Sequence, residues 1–386
     1  MKKIFTVLAV TIYIVTYYDA RSQTYNGALY EMFFGSEPSA RAEGMGKHLS
    51  AVTGDALSYY YNPAGMASLK GLNLNAAFAG PYYTTDNKEL ENSYFDFFSA
   101  SYNIKKYGTV GLSADYFKYS YDRTVYDEFG NARVVASDFS NTIYRLTLSS
   151  EVIKDLYVGL NLNLLNQDNG LSEFTVANEK GNGSSNVFYF DLGVLKSFKF
   201  NSNKLDQSIS LGTSVINVNT ATFSLIDAAQ GEQLPVIFRL GASYDLSVND
   251  RSISSKLKSY KFLADAEYED LFNSKYYGGF HGGFEFTFLE ILSLRAGFYS
   301  QENVESMYSF DTTSGIFNIN VGKSENDISE FTYGLGLNIP IKQLTDGKTP
   351  IEIKFDYANL NQPSYKKDKD SPGKFHVYTI IFKWEF

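Results

Sequence analysis

The sequence predicts an all-β protein: a closed antiparallel transmembrane β-barrel of about 14 strands with an N-terminal hatch, or plug, segment. Three observations predict this class: the composition, the alternation of apolar and polar residues, and the alternating lengths of the connections. Tyr and Phe each number 31 in 386 residues, Pro numbers only 8, and the mean hydropathy is -0.23. Such a chain is rich in strand-forming residues and too polar for a bundle of membrane-spanning helices.

The extreme N-terminus has the three parts of a secretory signal peptide. Two lysines precede an apolar run from Ile4 to Val15, and a small-residue pattern that ends at Ser22 follows. A spanning helix would need about 20 apolar residues, and Asp19 interrupts the run too early. We therefore predict cleavage after Ser22 and export without a helical anchor. The predicted organisation is a signal peptide over residues 1–22, a hatch over 23–70 and a barrel over 71–386.

Cysteine content and charge exclude several classes of function. The chain has no Cys, which excludes a disulfide framework, a thiolate metal site and a lipid-anchored cysteine. The formal net charge of -9 argues against nucleic acid as a partner, because nucleic-acid binding calls for a basic patch. Solvated acidic loops are the simpler interpretation of this charge.

After residue 71, apolar and polar residues alternate repeatedly in stretches as long as a barrel strand. In the last segment one row holds His376, Tyr378, Ile380, Phe382, Trp384 and Phe386, and we expect this row to face lipid. The clearest alternation begins at Leu156, where apolar residues alternate with Tyr, Gly and Asn. The opposite rows carry charged residues such as Arg239, which a buried sheet would not favour. The predicted strands cover residues 72–79, 94–103, 107–118, 138–149, 156–164, 186–198, 207–215, 235–248, 258–268, 280–288, 292–300, 331–339, 351–360 and 374–386.

The connections between these strands alternate in length. Those after even-numbered strands are short, and the longest polar loops, over residues 119–137, 166–185, 217–234 and 301–330, follow odd-numbered strands. Outer-membrane barrels have tight periplasmic turns and long extracellular loops, so the pattern predicts both termini in the periplasm. A large exported sandwich or propeller would also show many short strands. The charged inner rows and the loop asymmetry favour the barrel.

The segment before the barrel contains two short motifs, Ala-Arg-Ala-Glu-Gly-Met-Gly at residues 40–46 and Tyr-Asn-Pro-Ala-Gly-Met at 61–66. Asn62 can cap a short helix whose first position suits Pro63, since that position needs no N–H. Physical chemistry alone allows a compact turn region here. The two motifs together resemble the N-terminal hatch of the FadL superfamily of outer-membrane barrels, and the fuller spelling is similar to its PorV/PorQ-like branch.

This resemblance implies a location in the outer membrane of a Gram-negative bacterium and a hatch that plugs the lumen. Some members pass hydrophobic compounds, whereas PorV-type members are accessory barrels of type IX secretion. The expected function is passage of hydrophobic or amphipathic small molecules, and the alternative is a non-transporting subunit of an export or assembly machine. The gating residues would be Asn62, Pro63, Ala64 and Gly65. Phe33, Phe34, Tyr59, Tyr60 and Tyr61 are candidates to line a hydrophobic pocket, although as packing residues they need no ligand.

The sequence predicts no catalytic site, metal site or cofactor. His48, His281 and His376 are scattered, whereas metal sites gather ligands at short spacings. No serine follows His281 in the His-x-Ser pattern of barrel phospholipases. The charged run at 366–370 and the loop at 311–327 could bind cations or lipopolysaccharide phosphate. A solvated loop is the simpler interpretation, because the calcium-loop spacing is missing. Outer-membrane lipid and lipopolysaccharide are therefore the expected surroundings.

Overall fold

A computed structural model describes residues 37–80, 93–126, 131–168, 170, 174–176, 179–181, 183–202, 204–223, 232–271, 278–301, 308–311, 316–319, 328–361 and 374–385. The predicted signal peptide, Phe33 and Phe34 lie outside these residues. The described chain forms a closed antiparallel barrel of 14 strands, which confirms the predicted barrel and its strand number. No helix in these ranges is long and apolar enough to cross a membrane.

The barrel strands follow one another around the wall in chain order, and the last strand pairs with the first, with Leu72 opposite Trp384. They are β1 (Leu72–Gly80), β2 (Tyr94–Asn103), β3 (Thr109–Tyr126), β4 (Ala132–Ile153), β5 (Leu156–Asp168), β8 (Ser184–Asn201), β9 (Leu205–Ile216), β12 (Ile237–Val248), β13 (Tyr260–Leu271), β14 (Gly278–Phe288), β15 (Leu292–Gln301), β18 (Ile328–Ile339), β19 (Ile351–Asn361) and β20 (Lys374–Trp384).

Short elements occupy the connections and the N-terminal segment. Three two-stranded ladders pair β6 (Phe174–Val176) with β7 (Glu179–Gly181), β10 (Thr222–Phe223) with β11 (Glu232–Gln233), and β16 (Tyr308–Asp311) with β17 (Ile316–Ile319). Within the described residues, the α-helices are Ala40–Glu43 and Ile341–Leu344, and the 3-10 helices are Ser58–Tyr60, Pro63–Ser68 and Lys105–Tyr107.

The two faces of the wall differ in the way the alternation predicts. In β20, Tyr378 and Ile380 are exposed on the outside, whereas the alternating residues Val377 and Thr379 are buried. In β12, Leu240 is exposed and Arg239 is buried. Because successive strand residues point to opposite faces, the apolar row lies outside and the polar row inside.

All four of the longest predicted loops contain strand residues in the structure, and the loop at 119–137 does so most extensively. Residues 119–137 were predicted as a loop, but β3 and β4 continue their pairing from Thr109 opposite Ser149 to Tyr126 opposite Ala132. The sequence does not alternate here, because polar residues follow one another directly, as in Asp122-Arg123-Thr124. A hairpin that extends beyond the apolar zone needs no apolar row, so alternation cannot reveal it.

Residues 37–70, named here the luminal segment, lie inside the barrel. Hydrogen bonds join the segment to strands on several sides of the wall: Ala40 N donates to Thr379 Oγ1 of β20 (3.0 Å), Ser243 Oγ of β12 donates to Ala51 O (2.9 Å) and Ser214 Oγ of β9 donates to Tyr61 O (2.6 Å). Only a position within the lumen reaches inward-facing side chains of strands that are far apart around the wall. The segment therefore spans the cross-section of the lumen.

Candidate functional site

The Asn-Pro-Ala motif begins the 3-10 helix Pro63–Ser68 in the way its residues predict. Asn62 has an extended backbone, with a φ of -153°, and its Oδ1 accepts a hydrogen bond from Ala64 N at 3.0 Å. Pro63 takes the first helical position, where a missing N–H leaves no donor unused. The motif is therefore a capped helix start that is fully buried in the lumen.

The same Asn62 side chain also binds the wall. Its Nδ2 donates to Ser50 O at 2.8 Å, to Val194 O at 3.1 Å and to Thr213 O at 3.3 Å. Val194 and Thr213 are paired neighbours on β8 and β9. Because the amide has two hydrogens and three acceptors, one hydrogen is shared. Asn62 thus joins the helix start, a distant turn of the luminal segment and two barrel strands.

Glycines at inward-facing positions let the luminal segment approach the wall. A Cβ on Gly193 would lie 2.0 Å from Asn62 Oδ1, and one on Gly283 would lie 2.1 Å from Met45 O. Similar contacts below 3.0 Å with the luminal segment occur at Gly111, Gly159, Gly212, Gly241 and Gly297, and a Cβ on Gly334 would lie 3.2 Å from Gly44 Cα. Glycine within a strand weakens it and often marks close approach of another backbone. We name these positions the glycine ring. The sequence contains this signal, because eight of the 14 barrel strands carry such an inward glycine, but it was missed.

Tyr60 and Tyr61 lie against a buried wall arginine. The Arg239 guanidinium carbon is 6.0 Å from the centre of the Tyr60 ring and 5.6 Å from that of Tyr61. Arg239 Nε lies 2.6 Å from Glu269 Oε2, and Nη1 donates to Tyr60 O at 3.1 Å. A paired and hydrogen-bonded guanidinium is the form in which a buried charge is tolerated. These two tyrosines therefore have wall partners of their own.

Tyr59 contacts both a wall arginine and an apolar part of the lumen. The Arg145 guanidinium carbon is 5.4 Å from the centre of the Tyr59 ring. The same ring stacks on Phe97 with the ring centres 6.1 Å apart. The wall contributes inward-facing apolar residues from four adjoining strands, named here the apolar seam: Ala77, Ala79, Phe95, Phe97, Ala358 and Val377. Buried inward positions on β5 and β8 are mixed, because Asn161, Asn163 and Asp191 occur there together with apolar residues such as Leu165 and Leu195. The seam is thus a continuous apolar surface across four adjoining strands.

A charged cavity lies at the end of the barrel that has the short turns. Its volume is about 360 Å³, and its lining includes Leu69, Leu263 and Ile381 beside many charged groups. Arg41 of the first motif bridges Asp55 at 2.8 Å and Glu285 at 2.6 Å. Arg295 connects Glu285 to Asp356, at 2.6 and 2.7 Å. This network fixes the luminal segment to β14, β15 and β19.

Two titratable groups of the luminal segment have perturbed pKa values. Burial raises the pKa of Glu43 to about 8; Lys47, 3.6 Å away, opposes this rise and Glu37 adds to it. Burial acts to lower the pKa of His48, but the Asp265 carboxylate, 3.0 Å away, and Glu267 outweigh burial and raise it to about 9. Both groups therefore hold a proton at neutral pH.

The histidines are less scattered than the sequence suggested. The His48 and His281 rings lie 5.9 Å apart, and His281 Nδ1 is 2.7 Å from Gly46 O. His376 contacts the Tyr357 hydroxyl at 2.9 Å on the wall. Among the described residues no group of three or more His, Cys, Asp or Glu side chains could hold a metal ion.

Comparison with known proteins gives similarity in structure only. No protein-family model matches the sequence, and no curated protein matches it. A Pseudomonas aeruginosa FadL homologue is 10% identical and aligns over 91% of this chain and 99% of its own, with a TM-score of 0.44. The toluene transporter TodX of Pseudomonas putida is 9% identical over the same shares, with a TM-score of 0.46. The monoaromatic hydrocarbon channel CymD is 12% identical over 92% and 99%, with a TM-score of 0.46. Likeness at this level says nothing about a ligand of this chain.

Proposed function

We propose that this protein is an outer-membrane barrel of a Gram-negative bacterium that passes hydrophobic or amphipathic small molecules, with the luminal segment as its gate. A closed barrel leaves no unpaired strand edge, which a bilayer core requires. The exposed outer rows are apolar and aromatic, and the inner rows are largely polar, as in barrels that span outer membranes. The motifs at 40–46 and 61–66, which resemble a FadL-type hatch, support the same proposal.

The apolar seam is the observation that carries this proposal. Ala79, Phe95 and Val377 lie near the ends of their strands that lead into the long connections, and Phe97 lies further in. At the other end of the barrel, Ile381 of β20 adds apolar surface to the lining of the charged cavity. A water-filled channel needs no inward-facing phenylalanines, whereas a hydrophobic molecule gains free energy from apolar surface along its path. The seam supplies such a path past the luminal segment.

The contacts of the luminal segment suit a gate at the seam. On the β8–β9 side, Asn62 anchors the luminal segment to the wall through hydrogen bonds. At the seam, the luminal segment packs against the wall through Tyr59 and Leu57. The Thr379 hydroxyl accepts a hydrogen bond from Ala40 N and donates one to Pro38 O at 3.1 Å. A movement that breaks the Thr379 bonds would open the seam. We propose Asn62, Pro63, Ala64 and Gly65 as the fixed side of this gate.

The predicted pocket residues enter this proposal unequally. Tyr59 lies on the seam and would contact a passing molecule, whereas Tyr60 and Tyr61 lie against Arg239. Phe33 and Phe34, outside the described residues, stay predictions as pocket residues.

A cross-link across the seam tests the gate. The chain has no Cys, so Ala40→Cys with Thr379→Cys introduces a single reactive pair. We expect vesicles that contain the reduced variant to take up a single-ring aromatic hydrocarbon or a fatty acid faster than empty vesicles. Cross-linking the two cysteines by oxidation or with a short bifunctional maleimide should lower uptake to that of empty vesicles. Reductant should restore uptake in the disulfide-linked sample.

The matched control is Thr287→Cys with Ser293→Cys, whose hydroxyls lie 2.9 Å apart within the wall. Cross-linking this pair should leave uptake unchanged. Equal uptake by linked and unlinked Ala40–Thr379 variants would contradict the gate. Uptake no faster than that of empty vesicles would contradict transport itself.

The alternative from the sequence, a PorV-like accessory subunit of an export machine, stays a prediction. Gentle solubilisation of native membranes tests it, because a subunit should migrate within a much larger complex. Deletion should then impair export of surface proteins while uptake of hydrophobic compounds is unaffected.

A further inference from the structure

A groove of about 470 Å³ lies on the outer face of the wall, at the end with the short turns. Outward-facing side chains of four neighbouring strands line it: Val110, Leu148, Val158, Leu160 and Leu192. Ile104 and Tyr107, from the turn before β3, form its edge and are 42% and 71% exposed. Ser150, a small residue in the outer row, also lines the groove. The groove is therefore an apolar recess on a face that the proposed function places against lipid.

Lysines lie in the turns and strands next to this groove. Lys105 and Lys106 belong to the same turn as Tyr107, and Lys154 lies in the turn before β5. Lys196, opposite Leu156 in the register, donates to Lys154 O at 2.9 Å. Among the ion pairs of the described residues, none involves Lys105, Lys106 or Lys154.

The two nearby carboxylates, Glu151 and Asp155, do not balance the four lysines. Glu151 Oε1 accepts a hydrogen bond from Asp155 N at 2.6 Å, and Asp155 pairs with Lys199 at 2.5 Å. The groove edge thus carries unneutralised positive charge on a chain whose formal net charge is -9. A partner that combines a negative group with an apolar chain fits both features.

We propose that this groove binds one anionic phospholipid, with an acyl chain against Leu148 and Leu160 and the headgroup phosphate among Lys105, Lys106 and Lys154. The inference rests on the proposed outer-membrane location. The short turns of outer-membrane barrels face the periplasm, so the lipid belongs to the periplasmic leaflet. Lysine binds phosphate as a point charge, and its attraction to anionic lipid acts near the membrane surface.

Tryptophan quenching by brominated lipids tests the site. The chain has one Trp, and Trp384 is exposed on the outer face of β20 at the same end of the barrel. The reporter variant carries Tyr107→Trp and Trp384→Phe. In vesicles, brominated phosphatidylglycerol should quench this reporter at lower mole fractions than brominated phosphatidylcholine. The two lipids should quench Trp384 of the unmodified chain equally, because its neighbour Lys383 pairs with Glu385 at 2.6 Å.

Variants distinguish the binding of the lipid headgroup from the binding of the acyl chain. Lys105→Gln and Lys154→Gln in the reporter should each reduce the preference for phosphatidylglycerol about fivefold, the change that corresponds to about 1 kcal/mol per basic residue near an anionic surface. Ser150→Leu should lower the preference by filling the groove with the charges intact. Lys256→Gln is the control, since Lys256 pairs with Asp346 in other short turns, and it should change nothing.

Coincident quenching curves for the two lipids at Tyr107→Trp would overturn the site. Equal preference at the reporter and at Trp384 would do the same, because it would show general attraction to the membrane surface. Uptake measured in the same vesicles keeps the two proposals apart. Coincident curves with normal uptake overturn the lipid site alone, whereas separate curves without uptake overturn transport and support the lipid site.

Discussion

Asn62 shows how one residue can serve local and long-range structure together. As an N-cap it uses only Oδ1, a task that Asp or Ser performs equally well. As a wall contact it uses Nδ2, which donates to carbonyls of β8 and β9. Of the residues with an N-cap oxygen on so short a side chain, only Asn adds an amide donor. The capping role was predictable from the sequence, but the wall contact was not, because its acceptors are more than a hundred residues away.

Two substitutions at Asn62 distinguish these roles. Asn62→Ala removes the cap and the wall contact and should lower the free energy of unfolding by about 2 kcal/mol. Asn62→Asp keeps the cap but places a buried carboxylate against three carbonyl oxygens, so it should destabilise more than Ala. Urea unfolding in lipid vesicles measures both. If Asn62→Asp has the same free energy of unfolding as the unmodified protein, capping is the only role of Asn62 and its wall contact contributes nothing to stability.

At the scale of elements, the strands were far more predictable than the lumen. The strand predicted over residues 292–300 is observed as β15 (Leu292–Gln301), because alternation between lipid and a polar interior is local information. The apolar seam was missed since β2 has Phe95, Phe97 and Phe98 in both rows, and alternation cannot show that an inward Phe meets Tyr59. The glycine ring was missed because its purpose depends on a segment from elsewhere in the chain.

The glycine ring makes a prediction with a control in the same strand. Gly283 faces Met45, whereas a Cβ on its neighbour Gly282 would have only Asp265 O nearby, at 3.8 Å. Gly283→Ala should lower the free energy of unfolding by about 1–3 kcal/mol through overpacking. Gly282→Ala should change it by less than about 0.5 kcal/mol. Thermal unfolding and proteolysis at Lys47 measure stability and displacement of the luminal segment. Equal behaviour of the two variants would contradict the close approach.

The luminal segment should loosen as pH rises. The pKa of Glu43 is raised to about 8, so the stability that its neutral form provides is lost between about 4.5 and 8. The pKa of His48 is raised to about 9, so the stability from its pairing with Asp265 is complete below about 6.5 and lost as pH rises through 9. The free energy of unfolding should therefore fall from pH 6 to pH 9. Glu43→Gln should flatten the part of this fall below pH 8. An unchanged slope in Glu43→Gln would contradict the assignment to Glu43.

At the scale of the whole molecule, the wall and the luminal segment stabilise each other. Closure of the barrel pairs β1 with β20, which leaves the inward row of polar side chains around a lumen of limited width. The luminal segment fills that lumen and supplies partners for buried charges such as Glu285, which contacts Arg41. Buried charges without partners are costly. Removal of the luminal segment would thus destabilise the wall as well as open it.

The orientation of the whole barrel can be tested with trypsin on intact cells. The long connections hold Lys180, whereas Lys105 and Lys154 lie in short turns at the opposite end. If the short turns face the periplasm, cleavage should occur at Lys180 and not at Lys105 or Lys154. Permeabilisation of the outer membrane should then expose Lys105 and Lys154, because Tyr107 beside Lys105 is already 71% exposed. Cleavage at Lys105 in intact cells would reverse the orientation, and the anionic lipid site would then lie in the outer leaflet.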